Sequence, residues 1–222
     1  MKVAIDGPAG AGKSTVARSL ARELGYVYID TGAMYRALTL KALQEGIPLG
    51  AQTALVKLAQ NTHIHFEYRP DSQRTICDGQ DVSNAIRSPE VSEAVSTVAA
   101  YPAVRQIMVK EQRGLAEGGA VVMDGRDIGT CVLPDADFKF YLTASLEERS
   151  RRRLEEMRAR GYEPDLARIK AEIRERDEKD SSREVGALAI QADSIVIDTS
   201  ELSVDQVVDT MLAVVRETGN VL

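Results

Sequence analysis

At 222 residues and 24.2 kDa, with 44% apolar and 28% charged residues, the chain reads as one folded globular unit carrying insertions; disorder and fibrous repeats are excluded. Its 28 Lys and Arg against 34 Asp and Glu, a net charge of -6 and a pI near 5.1, argue against a generic nucleic-acid or anionic-membrane binder. Two cysteines without a CxxC spacing, two histidines, and no apolar run near the ~20 residues that span a bilayer argue against a disulfide framework, a Cys/His zinc site or a membrane anchor, so a cytoplasmic protein is expected.

The first predicted strand, Lys2 to Asp6, leads through a glycine-rich turn into a helix with Val16, Ala17, Leu20 and Leu24 inward and Gly25 as its stop. A second strand, Tyr26 to Asp30, follows. From 62 to 82, Ile64, Phe66 and Tyr68 alternate before Arg69-Pro70-Asp71, and apolar residues resume at Thr75 and Ile76, which predicts an inserted antiparallel hairpin. A helix is predicted from Pro102, with strands at Ala120 to Asp124 and Phe138 to Leu142. From 147 to 184, twelve basic and twelve acidic residues alternate, the pattern of helices laced by ion pairs; Ser145 and Glu148 form a capping box and Gly161 a stop. A strand at Ser194 to Asp198 and a helix behind Ser203, with Val204, Val207, Val208, Met211, Leu212 and Val215 on one face, complete the chain. Four of the five core strands end in Asp. Alternating strands and helices predict a three-layer α/β fold with a five-stranded parallel sheet, the hairpin insertion and a charged helical segment.

Gly7-Pro8-Ala9-Gly10-Ala11-Gly12-Lys13-Ser14, followed by Thr15, has the phosphate-binding pattern of Gly, four residues, Gly-Lys-Ser, in the required place between strand and helix. Glycines let backbone N–H groups converge on phosphate oxygens, Lys13 reaches the β- and γ-phosphates, and the Ser14 hydroxyl suits Mg²⁺. The loop alone leaves a switch GTPase, a motor ATPase and a small-acceptor kinase open. An NKxD guanine-reading motif is absent, and the third core strand ends in Asp124-Gly125-Arg126-Asp127 without the glutamate that polarises water, so a kinase fits best. A kinase needs a second anion site. Thr31, Tyr35 and Arg36 after the second strand, Arg126 after the third, and Arg176 and Arg183 from the charged segment are its candidates, with Lys13, Arg126, Arg176 and Arg183 as the catalytic cations. Asp124 either holds Mg²⁺ through water or caps the next turn.

With these residues in view, the sequence closely resembles the bacterial cytidylate kinases, a branch of the nucleoside monophosphate kinases, over nearly its whole length. The motifs are GPAGAGKS, DTGAMYR, DVSNAIRSPEVSEAVSTVAAYPAVR, DGRDIGT and RERDEKDSSR. The resemblance implies a core of residues 1–30, 103–144 and 185–222, a monophosphate-binding domain at 31–102 containing the hairpin, and a lid at 145–184. It implies ATP-dependent phosphorylation of CMP or dCMP with Mg²⁺ and no nucleic-acid partner; a monomer is expected. It further implies that Ser96, Arg105 and Asp127 read the cytosine, that Thr31, Tyr35, Arg36, Arg126 and Arg183 hold the monophosphate, and that Arg176 with Asp180 holds the ribose hydroxyls. Arg149, Arg152 and Arg153 are lid candidates for ATP. Ser96 could also be an ordinary helix-surface residue. Two other readings stay open: a small-acceptor P-loop kinase of another specificity, and a non-catalytic nucleotide-binding protein that presents its Arg-rich segment to RNA.

Overall fold

The computed structural model describes residues 1–69 and 72–219. The chain divides into two compact units, one made of Met1–Tyr28 and Ala116–Leu222, the other of Ile29–Leu115. Among the described residues no helix is long and apolar enough to cross a membrane.

In the first unit β1 (Lys2–Asp6) leads to α1 (Lys13–Leu24) and β2 (Val27–Asp30), whose last two residues belong to the second unit. After the second unit's span the chain returns as β6 (Val121–Asp124), β7 (Phe138–Thr143), α6 (Leu146–Ala159), α7 (Leu166–Ser181), β8 (Ile195–Asp198) and α8 (Val204–Gly219). The five strands form one sheet in the order β2-β6-β1-β7-β8. β1 pairs in parallel with both β6 and β7, and β7 with β8; Ile5 stands opposite Asp124 on one side and Phe140 on the other. The chain builds first on the β6 side of β1 and then crosses to the β7 side. The topological switch therefore lies at β1, where open α/β sheets bind ligands, and the glycine-rich loop starts there.

The core explains why the apolar patterns work. Val3, Ile5, Val16, Ala17, Leu20 and Phe140 pack with Val207, Val208, Met211, Leu212 and Val215, so the stripes of α1 and α8 cover strands buried on both faces. The second predicted strand starts one residue later than expected. The Tyr26 N–H is taken by the Ala21 carbonyl at 2.8 Å, closing the end of α1 around Gly25 at φ 68°, and pairing begins only after that cap.

The second unit holds α2 (Thr31–Gln44), α3 (Gln52–Gln60), β3 (Ile64–Arg69), β4 (Ser72–Cys77), β5 (Gln80–Asp81), α4 (Pro89–Val98) and α5 (Pro102–Leu115). The predicted insertion is antiparallel: Ile64 pairs with Cys77 and Phe66 with Thr75, and β5 adds a third strand. Pro70 and Asp71 of the expected turn lie outside the described residues. Sequence periodicity did not predict α2, because Ala33, Met34, Tyr35, Ala37, Leu38 and Ala42 are all buried and leave little polar face to mark a helical repeat. The helix packs against α4, and α3 against α5. Its start is set by Asp30, whose Oδ1 accepts the Ala33 N–H at 2.9 Å.

The predicted cap of α6 is formed: Ser145 Oγ accepts the Glu148 N–H at 3.2 Å. Ser145→Ala is expected to lower the free energy of unfolding by about 1 kcal/mol in a urea titration.

Candidate functional site

The glycine-rich loop begins at Gly7, at φ +147°, where a Cβ would lie 2.0 Å from the Leu142 carbonyl oxygen. At Gly10, φ +79°, a Cβ would meet Arg149 Cβ at 2.9 Å. Any side chain at these two positions would push the loop off β7 and α6. α1 then starts at Lys13 behind Gly12, which contributes no capping side chain, so first-turn N–H groups and the helix dipole face the loop. Lys13 is buried and donates from Nζ to the Pro8 carbonyl at 2.7 Å. Burial, reinforced by Arg126 and Arg176, holds its pKa well below the usual lysine range, with Asp124 and Asp6 pulling the other way.

Ser14 Oγ donates to Asp124 Oδ2 at 2.8 Å, and the Tyr28 hydroxyl donates to Asp124 Oδ1 at 2.8 Å. Hydroxyl and carboxylate thus lie side by side at the ends of β1 and β6, an oxygen-only donor pair that fits Mg²⁺, which is held by one or two protein oxygens together with phosphates and water. Among the described residues no three His, Cys, Asp or Glu side chains form a metal cage of their own.

On α7 and just beyond it, Asp180 is 1% exposed and gathers three arginines. Arg126 Nε donates to its Oδ2 at 2.8 Å, Arg183 Nη2 donates to its Oδ1, and Arg176 Nε lies 3.9 Å from Oδ2. Desolvation works against all these charges. It takes Arg176 down to about 10 with help from Arg126, whereas Arg126 stays above its ordinary value because Asp180 more than offsets its desolvation. The three guanidinium groups likewise keep Asp180 below the usual carboxylate range despite its burial. The arrangement keeps a cluster of cations charged without a bound anion.

The lid candidates are tied to the loop from behind. Arg149 Nη1 donates to the Ala9 carbonyl at 3.2 Å and to Asp177 Oδ2 at 2.5 Å. Arg152 donates from Nη1 to Thr199 Oγ1 at 3.0 Å, and the Thr199 hydroxyl reaches the Ala11 carbonyl at 3.2 Å. Arg153 pairs with Glu156 on its own helix.

Of the residues proposed for the acceptor, Arg126, Asp127, Arg176, Asp180 and Arg183 lie in the first unit and Thr31, Tyr35, Arg36, Ser96 and Arg105 in the second. Thr31, Tyr35 and Arg36 share the first two turns of α2. Arg36 Nη1 donates to Ser92 Oγ at 2.9 Å, and the Arg105 guanidinium stands 5.4 Å from the Tyr35 ring centroid. Arg105 is 1% exposed and donates to the Ala99 carbonyl. Ser96 is 5% exposed, so it is not the helix-surface residue that its sequence context allowed. Asp127 is buried, and its carbonyl accepts the Cys131 and Val132 N–H groups, folding Ile128–Val132 into one π-helical turn.

Sequence reasoning missed Asp6, Tyr28, Arg87 and Thr199. Asp6 accepts the N–H groups of Ile128 and Gly129, both at 2.8 Å, and Arg87 pairs with Asp30 at 2.9 Å. The strand-ending aspartates were a visible signal for Asp6. Nothing local marks Tyr28 or Thr199.

The sheet order, the switch at β1 and the glycine-rich loop define a P-loop kinase fold. A shikimate kinase from Bacteroides thetaiotaomicron shares that fold, with a TM-score of 0.52 at 14% identity over 97% of this chain and 98% of its own. Far closer in sequence are two proteins named cytidylate kinase. One, from Symbiobacterium thermophilum, is 55% identical over 217 residues, covering 97% of this chain and 96% of the relative; the other, from a Geobacillus species, is 53% identical over 98% and 97%. The family model for cytidylate kinase matches residues 3–217, and the chain belongs to the cytidylate kinase family.

Burial raises the Asp6 pKa from 3.8 to about 6, with Asp127 adding to the rise and the Gly129 and Ile128 N–H groups and Lys13 opposing it. The native state thus holds this proton at a higher pH than the unfolded chain, so the group's contribution to stability is lost as pH rises from about 4 through 6, by at most about 3 kcal/mol. Urea titrations between pH 4.5 and 7.5 should show this fall in the wild type and its absence in Asp6→Asn.

Proposed function

We propose that the protein transfers the γ-phosphoryl group of ATP to CMP or dCMP, giving CDP or dCDP, by direct in-line attack of an acceptor phosphate oxygen with no covalent enzyme intermediate. The observation that supports this most is the placement of Lys13 of the phosphate loop within electrostatic reach of Arg126 and Arg176, which joins a donor-phosphate site to a second set of cations in one unit. Residues Gly7 to Thr15 hold the ATP phosphates through backbone N–H groups, and Lys13 leaves the Pro8 carbonyl for a phosphate oxygen. Arg149, Arg152 and Arg153 border the ATP side. Ser14, and Asp124 through water, would hold Mg²⁺, which supplies charge neutralisation at the β- and γ-phosphates when bound. Thr31, Tyr35, Arg36, Arg126 and Arg183 bind the monophosphate, and Arg176 with Asp180 the ribose. Lys13, Arg126, Arg176 and Arg183 stabilise charge on the transferring group.

For the base, Asp127 accepts from the cytosine amino group while Arg105 and Ser96 donate to the ring nitrogen and carbonyl. Uracil reverses the polarity at two of these atoms and would leave buried groups unpaired. Residues 31–102 serve as the monophosphate-binding domain and 145–184 as a lid that excludes water, on a core of 1–30, 103–144 and 185–222. The protein works as a cytoplasmic monomer on small molecules, without nucleic acid or membrane.

In a coupled ADP-release assay over a panel of monophosphates, CMP and dCMP should stimulate turnover far above UMP, dTMP and AMP; equal stimulation contradicts the assignment. Lys13→Ala is expected to cut kcat by about a hundredfold or more. Asp127→Ala should reduce the preference for CMP over UMP by about tenfold or more, and equal losses for both pyrimidines would refute the base-reading role.

A further inference from the structure

Asp6 closes β1 directly before Gly7, and the transfer proposed above assigns it no contact with either nucleotide. Its carboxylate is 4% exposed, and each oxygen accepts one backbone N–H, Oδ1 from Ile128 and Oδ2 from Gly129, both at 2.8 Å. Those two N–H groups open the π-helical turn that immediately follows Arg126 and Asp127. The turn's own backbone bonds, from Cys131 and Val132 to the Asp127 carbonyl and from Leu133 to the Ile128 carbonyl, shape it but do not fix it to the sheet. Asp6 supplies that attachment.

The phosphate loop is anchored by other means. Gly7 lies tight on the Leu142 carbonyl, the Ala9 carbonyl is held by Arg149, and the Ala11 carbonyl by Thr199. Removing the Asp6 charge would therefore loosen the Arg126–Asp127 side more than the loop side. The position is an expensive one for a carboxylate. It is buried beside Asp127, with Lys13 of α1 and the Tyr141 hydroxyl of β7 as its other titratable neighbours, yet both its oxygens are spent on two consecutive N–H groups.

We infer that Asp6 is a positioning residue that sets Arg126 and Asp127 against the root of the phosphate loop, so that recognition of the acceptor nucleotide, more than binding of the donor, depends on it. This rests on the reading of Arg126 and Asp127 as acceptor ligands.

Asp6→Asn keeps the side chain's shape but replaces one acceptor oxygen with an NH₂ group facing an N–H. The expected result is a rise of about tenfold or more in KM for CMP and a comparable fall in the preference for CMP over UMP, with KM for ATP and kcat within about twofold of wild type. Amide hydrogen exchange should accelerate at Ile128 and Gly129 and stay unchanged from Gly7 to Lys13. An unchanged KM for CMP, or KM values for ATP and CMP rising together, would overturn the inference. Asp127→Ala, assayed in parallel, separates the two layers: if it leaves the CMP preference intact the base reading fails, while exchange at Ile128 and Gly129 still judges the tether. Should Asp6→Asn not fold, exchange in the wild type decides, slow and matched rates at both amides supporting the tether and fast exchange at either one contradicting it.

Discussion

A cluster of positive charge inside a folded unit is the constraint on which the rest of this architecture depends. One buried lysine, Lys13, and three half-buried arginines, Arg126, Arg176 and Arg183, lower one another's affinity for protons or compete for the same counter-charge, and each has lost much of its water. The arrangement survives because Asp180 bridges Arg126 and Arg183 while lying near Arg176. That geometry dictates the local chain: Arg176 and Asp180 are one helical turn apart on α7, and Arg183 follows the helix end. The zero net charge of the segment from 147 to 184 is then no accident of a solvated surface. Part of its acidic half holds the cations in place, as Asp180 and Asp177 do, and the phosphates of a bound nucleotide can take over part of that counter-charge.

The four strand-ending aspartates show how one sequence feature serves four ends. Asp6 tethers the turn that follows Asp127, Asp30 caps α2 and pairs with Arg87, and Asp124 takes the hydroxyls of Ser14 and Tyr28. Asp198 accepts from the N–H and hydroxyl of Ser200, turning the chain toward α8 just beyond Thr199. Each sits where a parallel strand stops and a ligand-facing loop begins, so the carboxylates organise loops instead of capping a core.

What the sequence made legible follows from the range of the interactions. The phosphate loop, the Ser145 box and the Ser203 box, in which the Gln206 N–H reaches Ser203 Oγ and the Ser203 N–H reaches Gln206 Oε1, are written within a few residues and were readable. So were α1 and α8, whose apolar stripes are one-sided. α2 was not, because it is buried on most of its surface. Tyr28 and Asp124 are 96 residues apart, Asp6 and Ile128 122, and Thr199 and Ala11 188, and no local pattern announces such partners. Ser96 and Arg105 came from the family resemblance alone; physics explains their chemistry only after they have been named.

The account stands on the claim that phosphate recognition by the cation cluster, not burial of the base, supplies most of the acceptor's binding energy. Calorimetric titration of the wild-type protein with CMP and with cytidine tests this most directly. The account predicts a clear binding isotherm for CMP and affinity at least about a hundredfold weaker for cytidine, which lacks the charge that the arginines are held to meet. Equal affinity for the two would contradict it.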